Sequence, residues 1–262
     1  MKINKNLFLV TILSCAVAFS CKKTDETEEC TSTTVVSDCP TPTKAFDEFN
    51  TASVTISYSG DDVTIVSNAL PNHTSPYWAT TNSLYISPVV ATASSMSPGE
   101  ITSGSYTLTV PASPGKASST SSTGLGAIGI AVTGVPIFND EEGMGALTAQ
   151  VASGFDYAGG HSRPTGYHYH VESSNVTENT VLSHDDDALN GILEDGFLLY
   201  GRKCNSTGAY PTDLDTSGGH KSTTQHSDGC SFYHYHIINE YYTGTYIVLF
   251  GVDLQGVPNG IL

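Results

Sequence analysis

The sequence predicts an all-β fold with little helix: a sandwich-like or irregular barrel-like domain containing an internal pseudo-twofold repeat. Three observations lead there. Short runs rich in β-branched and aromatic residues alternate with Gly, Pro and Ser turns along most of the chain, the signature of many short strands. Helical spacing is confined to Glu141 to Val151, where Ala146, Leu147 and Val151 share a face. The tetrapeptide Tyr167-His168-Tyr169-His170 returns as Tyr233-His234-Tyr235-His236.

Residues 1–20 read as an export signal, with Lys2 and Lys5, then an apolar run from Leu7 to Phe19 that is too short to span a bilayer. Ala18-Phe19-Ser20-Cys21 resembles the lipobox of bacterial lipoproteins, so Cys21 is the expected lipidation site, with Ile12-Leu13-Ser14-Cys15 as a second candidate. Residues 21–43 form a tether; Lys22 to Glu29 resembles the acidic tether of outer-membrane surface lipoproteins of the Bacteroidota, and Thr31 to Thr43 is rich in Ser, Thr and Pro, as in an extended linker. The expected localisation is export, with the membrane reached through the lipid anchor only.

The folded domain is expected over 44–262. Val54 to Tyr58 and Val63 to Val66 flank Ser59-Gly60-Asp61-Asp62 as a hairpin. Asn68 to Trp78, punctuated by Pro71, Asn72 and Pro76, is a loop carrying His73. Further strands are expected at Ser83 to Ile86, Tyr106 to Val110, Ala127 to Val132, Val135 to Phe138 and, as a buried apolar run, Thr245 to Val252. Asp185-Asp186-Asp187 reads as a solvated loop.

The repeats span about 127–172 and 189–238. Each carries a Gly-led apolar run ending in an aromatic region (Gly134 to Asn139; Gly196 to Gly201), an Asp-x-x-Gly-Gly-His loop (Asp156 to His161; Asp215 to His220) and the tetrapeptide. In a strand, residues i and i+2 share a face about 7 Å apart, so His168 and His170, and likewise His234 and His236, can converge on one ion. His161 and His220, after glycines that permit tight turns, supply a third imidazole to each set. Three imidazoles with an open position suit Zn, and also Cu or Ni; adding a carboxylate admits Fe. Asp156 and Asp215 either ligate, hold an imidazole, or cap their loop through backbone N–H groups. A packing role for the tyrosines, with histidines facing water, is the plainer alternative; two copies of the whole pattern favour metal.

Of six cysteines, Cys15 goes with the signal and Cys21 takes lipid. Cys30, Cys39, Cys204 and Cys230 allow three pairings in an oxidising compartment; the neighbours, Cys30 with Cys39 and Cys204 with Cys230, are favoured over free thiols or thiolate ligands, since no CxxC spacing occurs. A net charge of −16 argues against nucleic acid and for cations.

These motifs resemble the YHYH protein family over roughly Val54 to Val252. Asn68 to His73 is similar to its Asn-Gly-x-Pro-x-His segment, with Ala69-Leu70 departing from it, and Asp195 to Gly201 to its Asp-Gly-aromatic strand. Tyr157 stands where family members are expected to carry Cys, so a disulfide there is missing. The resemblance makes His73 a candidate participant in the metal site; it implies no reaction.

Three function classes follow: an exported metal-binding lipoprotein; a metal-dependent hydrolase or oxidoreductase with Asp156 or Asp215 as base, against which the absence of HExxH and GxSxG counts; and a metal-free glycan- or protein-binding module using Trp78 and the tyrosines.

Overall fold

The computed structural model describes residues 39–89, 93–143, 145–163, 165–174, 182 and 184–262. The expected export signal, Cys15, Cys21, Cys30 and the tether up to residue 38 lie outside them. The fold is mostly β. A short 3-10 turn, Thr43–Glu48, leads into β1 (Val54–Ser59), β2 (Asp62–Ser67) and β3 (Tyr106–Pro111), an antiparallel sheet in that order. In β2, buried Val63 and Ile65 alternate with Thr64 and Val66, which point outward, as a sheet with one core face requires.

The second sheet has eight strands. Its members are β4 (Ala127–Ala131) and β5 (Pro136–Phe138), then β8 (Gly160–Arg163), β9 (Gly166–Tyr169), β10 (Leu189–Leu193), β11 (Leu198–Tyr200), β12 (Gly219–Ser222) and β13 (Phe232–His236). Between β5 and β8 lie a two-residue ladder, β6 (Glu141–Glu142) with β7 (Gly145–Ala146), and one helical turn, α1 (Ala149–Ala152). The spatial order is β12-β13-β11-β10-β4-β5-β9-β8. Outward from the central antiparallel pair β10·β4, the pairings of the two halves correspond: a hairpin (β4·β5; β10·β11), a parallel neighbour (β5·β9; β11·β13) and an antiparallel edge (β9·β8; β13·β12). Registers correspond too, with Ile137 opposite Tyr169 and Leu199 opposite Tyr235.

Val63, Ile65, Leu108 and Val110 of the small sheet join Ile128, Ile130, Ile192, Tyr169 and Tyr235 of the large one in a single core. Each fully buried aliphatic side chain there contributes about 1.5–3 kcal/mol. The hairpin turns abut the small sheet closely: a Cβ at Gly134 (φ +93°) would come within 2.8 Å of Ser53. Ala69, at the position where the resembled segment has Gly, adopts φ +59°, a conformation that Gly reaches without steric cost.

Several expected elements differ. The helix expected over Glu141 to Val151 reduces to α1, because Glu141 and Glu142 pair with Ala146 and Gly145 across a tight reversal. Ser83 to Ile86 makes only one bridge, Tyr85 to Ser75. Thr245 to Val252 is not a strand: it crosses the end of β9, where Leu249 N–H donates to His170 O and Ile247 O accepts from Glu172 N–H. Its apolar character reflects burial of Ile247, Leu249 and Phe250, which hydrophobicity alone cannot distinguish from strand pairing. The Asp185 to Asp187 segment is tied down rather than freely solvated: Asp185 contacts Arg202 and Lys203, and Asp187 accepts from Asn205 Nδ2.

The disulfide is Cys39–Cys230, with Cα atoms 6.0 Å apart. The expected pairing of Cys204 with Cys230 therefore does not form, nor does that of Cys30 with Cys39. Chain proximity misled because Cys230 meets the N-terminal segment ahead of β1, while Cys204 is buried as a free thiol among histidines.

Candidate metal centres

The alternation of β9 divides its side chains between two environments. His168 and His170 fall on one face, with ring centroids 4.9 Å apart; Tyr167 and Tyr169 fall on the other. Directly across β8·β9, His161 is paired with His168 and so lies on the same face. Its Nε2 stands 3.2 Å from His168 Nε2. Gly159 and Gly160 make this close return of β8 possible: a Cβ on Gly160 would meet His168 O at 2.6 Å, and Gly159 has φ +85° with the Val171 carbonyl directly in the way.

A fourth group completes the first centre. Glu142 Oε1 lies 2.8 Å from His161 Nε2, 3.1 Å from His170 Nε2 and 3.8 Å from His168 Nε2. Phe138 stacks on the His168 ring at 3.9 Å, and Phe155 packs on His161 and His170. The three imidazoles are buried and only the Glu142 side chain, 18% exposed, reaches solvent.

The second cluster repeats the three histidine positions, but the donor atoms that lie within 4.8 Å of one another there are those of Cys204, His220 and His236. His220 is paired with His234 across β12·β13. His236 Nε2 lies 3.1 Å from His234 Nε2 and 3.2 Å from His220 Nε2, and Cys204 Sγ lies 3.6 Å from His220 Nε2.

The other ring nitrogens explain the chemistry. His168 Nδ1–H donates to Gly166 O and His234 Nδ1–H to Phe232 O; His170 Nδ1–H donates to Asn139 O and His236 Nδ1–H to Gly201 O. Carbonyls only accept, so in each neutral imidazole the proton sits on Nδ1 and Nε2 presents a bare lone pair. Asp213 Oδ1, 2.8 Å from His220 Nδ1, does the same for that ring. Burial lowers the affinity of His161, His234 and His236 for a second proton, to about 4 for His161 and His236 and, with His236 and His220 beside it, to about 3 for His234. Burial raises the Glu142 carboxyl, an Nε2–H directed at it from His161, His168 or His170 lowers it, and the net shift is downward. The Nε2 atoms of His170, His234 and His236 stand 3.1–3.2 Å from a carboxylate oxygen or another ring nitrogen, and those of His161 and His168 stand 2.8 and 3.8 Å from Glu142 Oε1; a cation among them would relieve the repulsion between bare lone pairs. A tetrahedral ion bonded at about 2.0–2.1 Å has ligand-to-ligand edges of about 3.3–3.4 Å, so these groups could hold a metal ion.

The remaining expected site residues lie on the tyrosine face. His73 Nε2 bonds Tyr169 Oη at 2.6 Å and its Nδ1–H donates to Thr74 O; it is away from the first centre and takes no part in it. Asp156 accepts from Tyr167 Oη, Ser75 Oγ and the Ala158 and Gly160 N–H groups; Asp215 accepts from Tyr233 Oη, Lys116 Nζ and the Ser217 and Gly219 N–H groups. Of the three roles open to these aspartates, the loop-capping one is observed. Sequence reasoning missed Glu142 and ranked a thiolate role for Cys204 below a disulfide, although each stands four residues after the aromatic that ends its strand, Phe138 or Tyr200.

β9 and β13 are five inter-strand steps apart (β9-β5-β4-β10-β11-β13), about 24 Å along the sheet at about 4.8 Å per step. The clusters share no residue, so the choice between one binuclear centre and two separate centres falls to two.

Residues 107–217 match the family model described as YHYH protein. Over these residues the chain is similar to that family. The match contains the first centre's Glu142, His161, His168 and His170 together with Cys204, and it ends ahead of His220, short of the span the motifs led us to expect. No curated protein and no solved structure matches the chain.

Proposed function

We propose that this chain is a transition-metal-binding protein with one ion held by Glu142, His161, His168 and His170 and a second by the His220, His234 and His236 set. The observation that carries this reading is the convergence of Nε2 lone pairs whose opposite nitrogens are committed to carbonyl acceptors. Zn, Cu and Fe are the candidate ions, since imidazole serves all of them. Titrating chelator-stripped full chain with Zn by calorimetry tests it: two binding events per chain are expected, with one lost in a His168→Ala, His170→Ala variant. No heat in the parent protein would overturn the reading.

Lipid attachment at Cys21 and display at the outer membrane complete the proposal, supported by the sequence of the leader and tether alone. Loss of incorporated palmitate in a Cys21→Ala variant is the test, and unchanged labelling would refute it.

A cleft of about 660 Å³ reaches His220 and Asp213 and is lined also by Phe197, Tyr233, Lys116 and Lys221. It favours a second reading, in which the second centre acts as a hydrolase or oxidoreductase on a small molecule. Turnover by metal-loaded protein in a screen of esters, phosphoesters and peroxides, abolished in His220→Ala, would support this; inert protein across the screen would remove it.

A further inference from the structure

The two centres differ in one donor. Glu142 is four residues beyond Phe138, and Cys204 is four residues beyond Tyr200. The residue after each aromatic supplies the carbonyl that fixes the last imidazole of its half, Asn139 O for His170 and Gly201 O for His236. Both chains then reverse, Glu142 pairing with Gly145 and Cys204 bridging to Ala209. The same backbone course therefore delivers an oxygen donor to one cluster and a sulfur donor to the other.

Cys204 has the surroundings of a ligand rather than of a packing residue. It is 2% exposed and makes no disulfide. Its Sγ has the hydroxyls of Ser206 and Ser222 at 3.1 and 3.2 Å and His220 Nε2 at 3.6 Å. Ser222 Oγ also lies 3.0 Å from His220 Nε2. Cys204, His220 and His236 present their donor atoms within 4.8 Å of one another.

We infer that Cys204 is a donor of the second centre together with His220 and His236, on the backbone course that delivers Glu142 to the first, and that the two centres of one chain select different ions. This rests on the metal-binding reading above. When a divalent ion binds, the Cys204 thiol proton is released to solvent and the sulfur–metal bond takes its place. Thiolate selects soft ions, Cu(I) above all, whereas carboxylate with imidazole suits borderline and harder ones. With copper(I) and zinc both supplied, copper goes to the second centre and zinc to the first.

The test uses untagged full chain loaded with Co(II), whose thiolate complexes absorb intensely in the near ultraviolet by sulfur-to-metal charge transfer. Wild-type protein is expected to show that band together with the weaker visible bands of tetrahedral cobalt. Cys204→Ser is expected to lose the charge-transfer band while the visible bands of the first centre persist, and to hold Cu(I) at least tenfold less tightly against a competing chelator. Cobalt bound without charge transfer in the wild type overturns the thiolate assignment alone, and this outcome does not depend on the variant folding. No cobalt bound at all overturns both readings. Equal Cu(I) retention by wild type and Cys204→Ser removes the selectivity.

Discussion

Gly159→Ala probes how the chain builds its first centre. The native φ at this position is +85°, and an added Cβ would overlap the Val171 carbonyl. Left-handed backbone costs a non-Gly residue about 1–2 kcal/mol, and overpacking against fixed backbone adds about 1–3 kcal/mol, giving about 2–5 kcal/mol in total. Gly208 is the internal control: its φ is +67° and an added Cβ would meet nothing within 4 Å, so Gly208→Ala should incur the first cost only. Thermal unfolding of both variants in the presence of chelator reads the difference. At about 2–4 °C per kcal/mol for a domain of this size, Gly159→Ala should lower Tm by about 4–20 °C and Gly208→Ala by about 2–8 °C. Since Val171 directly follows His170, Gly159→Ala should also weaken metal at the first centre. Equal costs for the two variants, with metal unchanged, would refute the claim that close return of β8 onto β9 assembles the site.

Four further outcomes follow from the geometry. Tyr169→Phe should cost about 1–3 kcal/mol by leaving buried His73 Nε2 without its partner, yet leave metal content unchanged, because the tyrosine and histidine faces are separate; a fall in metal content would contradict this. Chelator-stripped protein should lose stability as pH falls from about 6.5: His161, His234 and His236 fold with lowered affinities for protons, so the unfolded chain binds more of them between 6.5 and about 4. The slope is at most about 1.4 kcal/mol per pH unit for each histidine, and a flat urea midpoint over that range would contradict it. Reducing Cys39–Cys230 should cost about 2–5 kcal/mol, as should Cys230→Ser; peptide mapping that joins Cys204 to Cys230 instead would overturn the pairing. Glu142→Ala should lower affinity at the first centre and spare the second, and parallel loss at both would argue against separate centres.

Much of this arrangement was legible in the repeat. Period-two alternation was enough to put His168 with His170 and His234 with His236, and the duplicated Gly-Gly-His loops named His161 and His220. The actual device is cross-strand pairing, His161 opposite His168 and His220 opposite His234, which strand periodicity within one segment does not reveal. Glu142 was hidden inside an acidic triplet that shared a stretch with helical spacing, and its identity as a donor depends on the reversal at β6 and β7. Cys204 was obscured by assuming that chain neighbours pair, whereas Cys230 reaches across 191 residues to Cys39. His73, a candidate for the metal site only through the resemblance, and the two aspartates lie on the tyrosine face, where Thr133 Oγ1 at 3.2 Å from Tyr169 Oη is answered by Asp195 accepting from Tyr235 Oη at 2.5 Å. Which face of a strand a distant loop covers is decided by tertiary packing, and no local pattern encodes it.

Elemental analysis of the purified full chain, made without an affinity histidine tag, tests the central claim most directly. Two equivalents of transition metal per chain are expected, falling to about one in His168→Ala, His170→Ala and in His234→Ala, His236→Ala. A folded protein that carries no metal, and takes up none after incubation with Zn, Cu and Fe salts, would contradict the account.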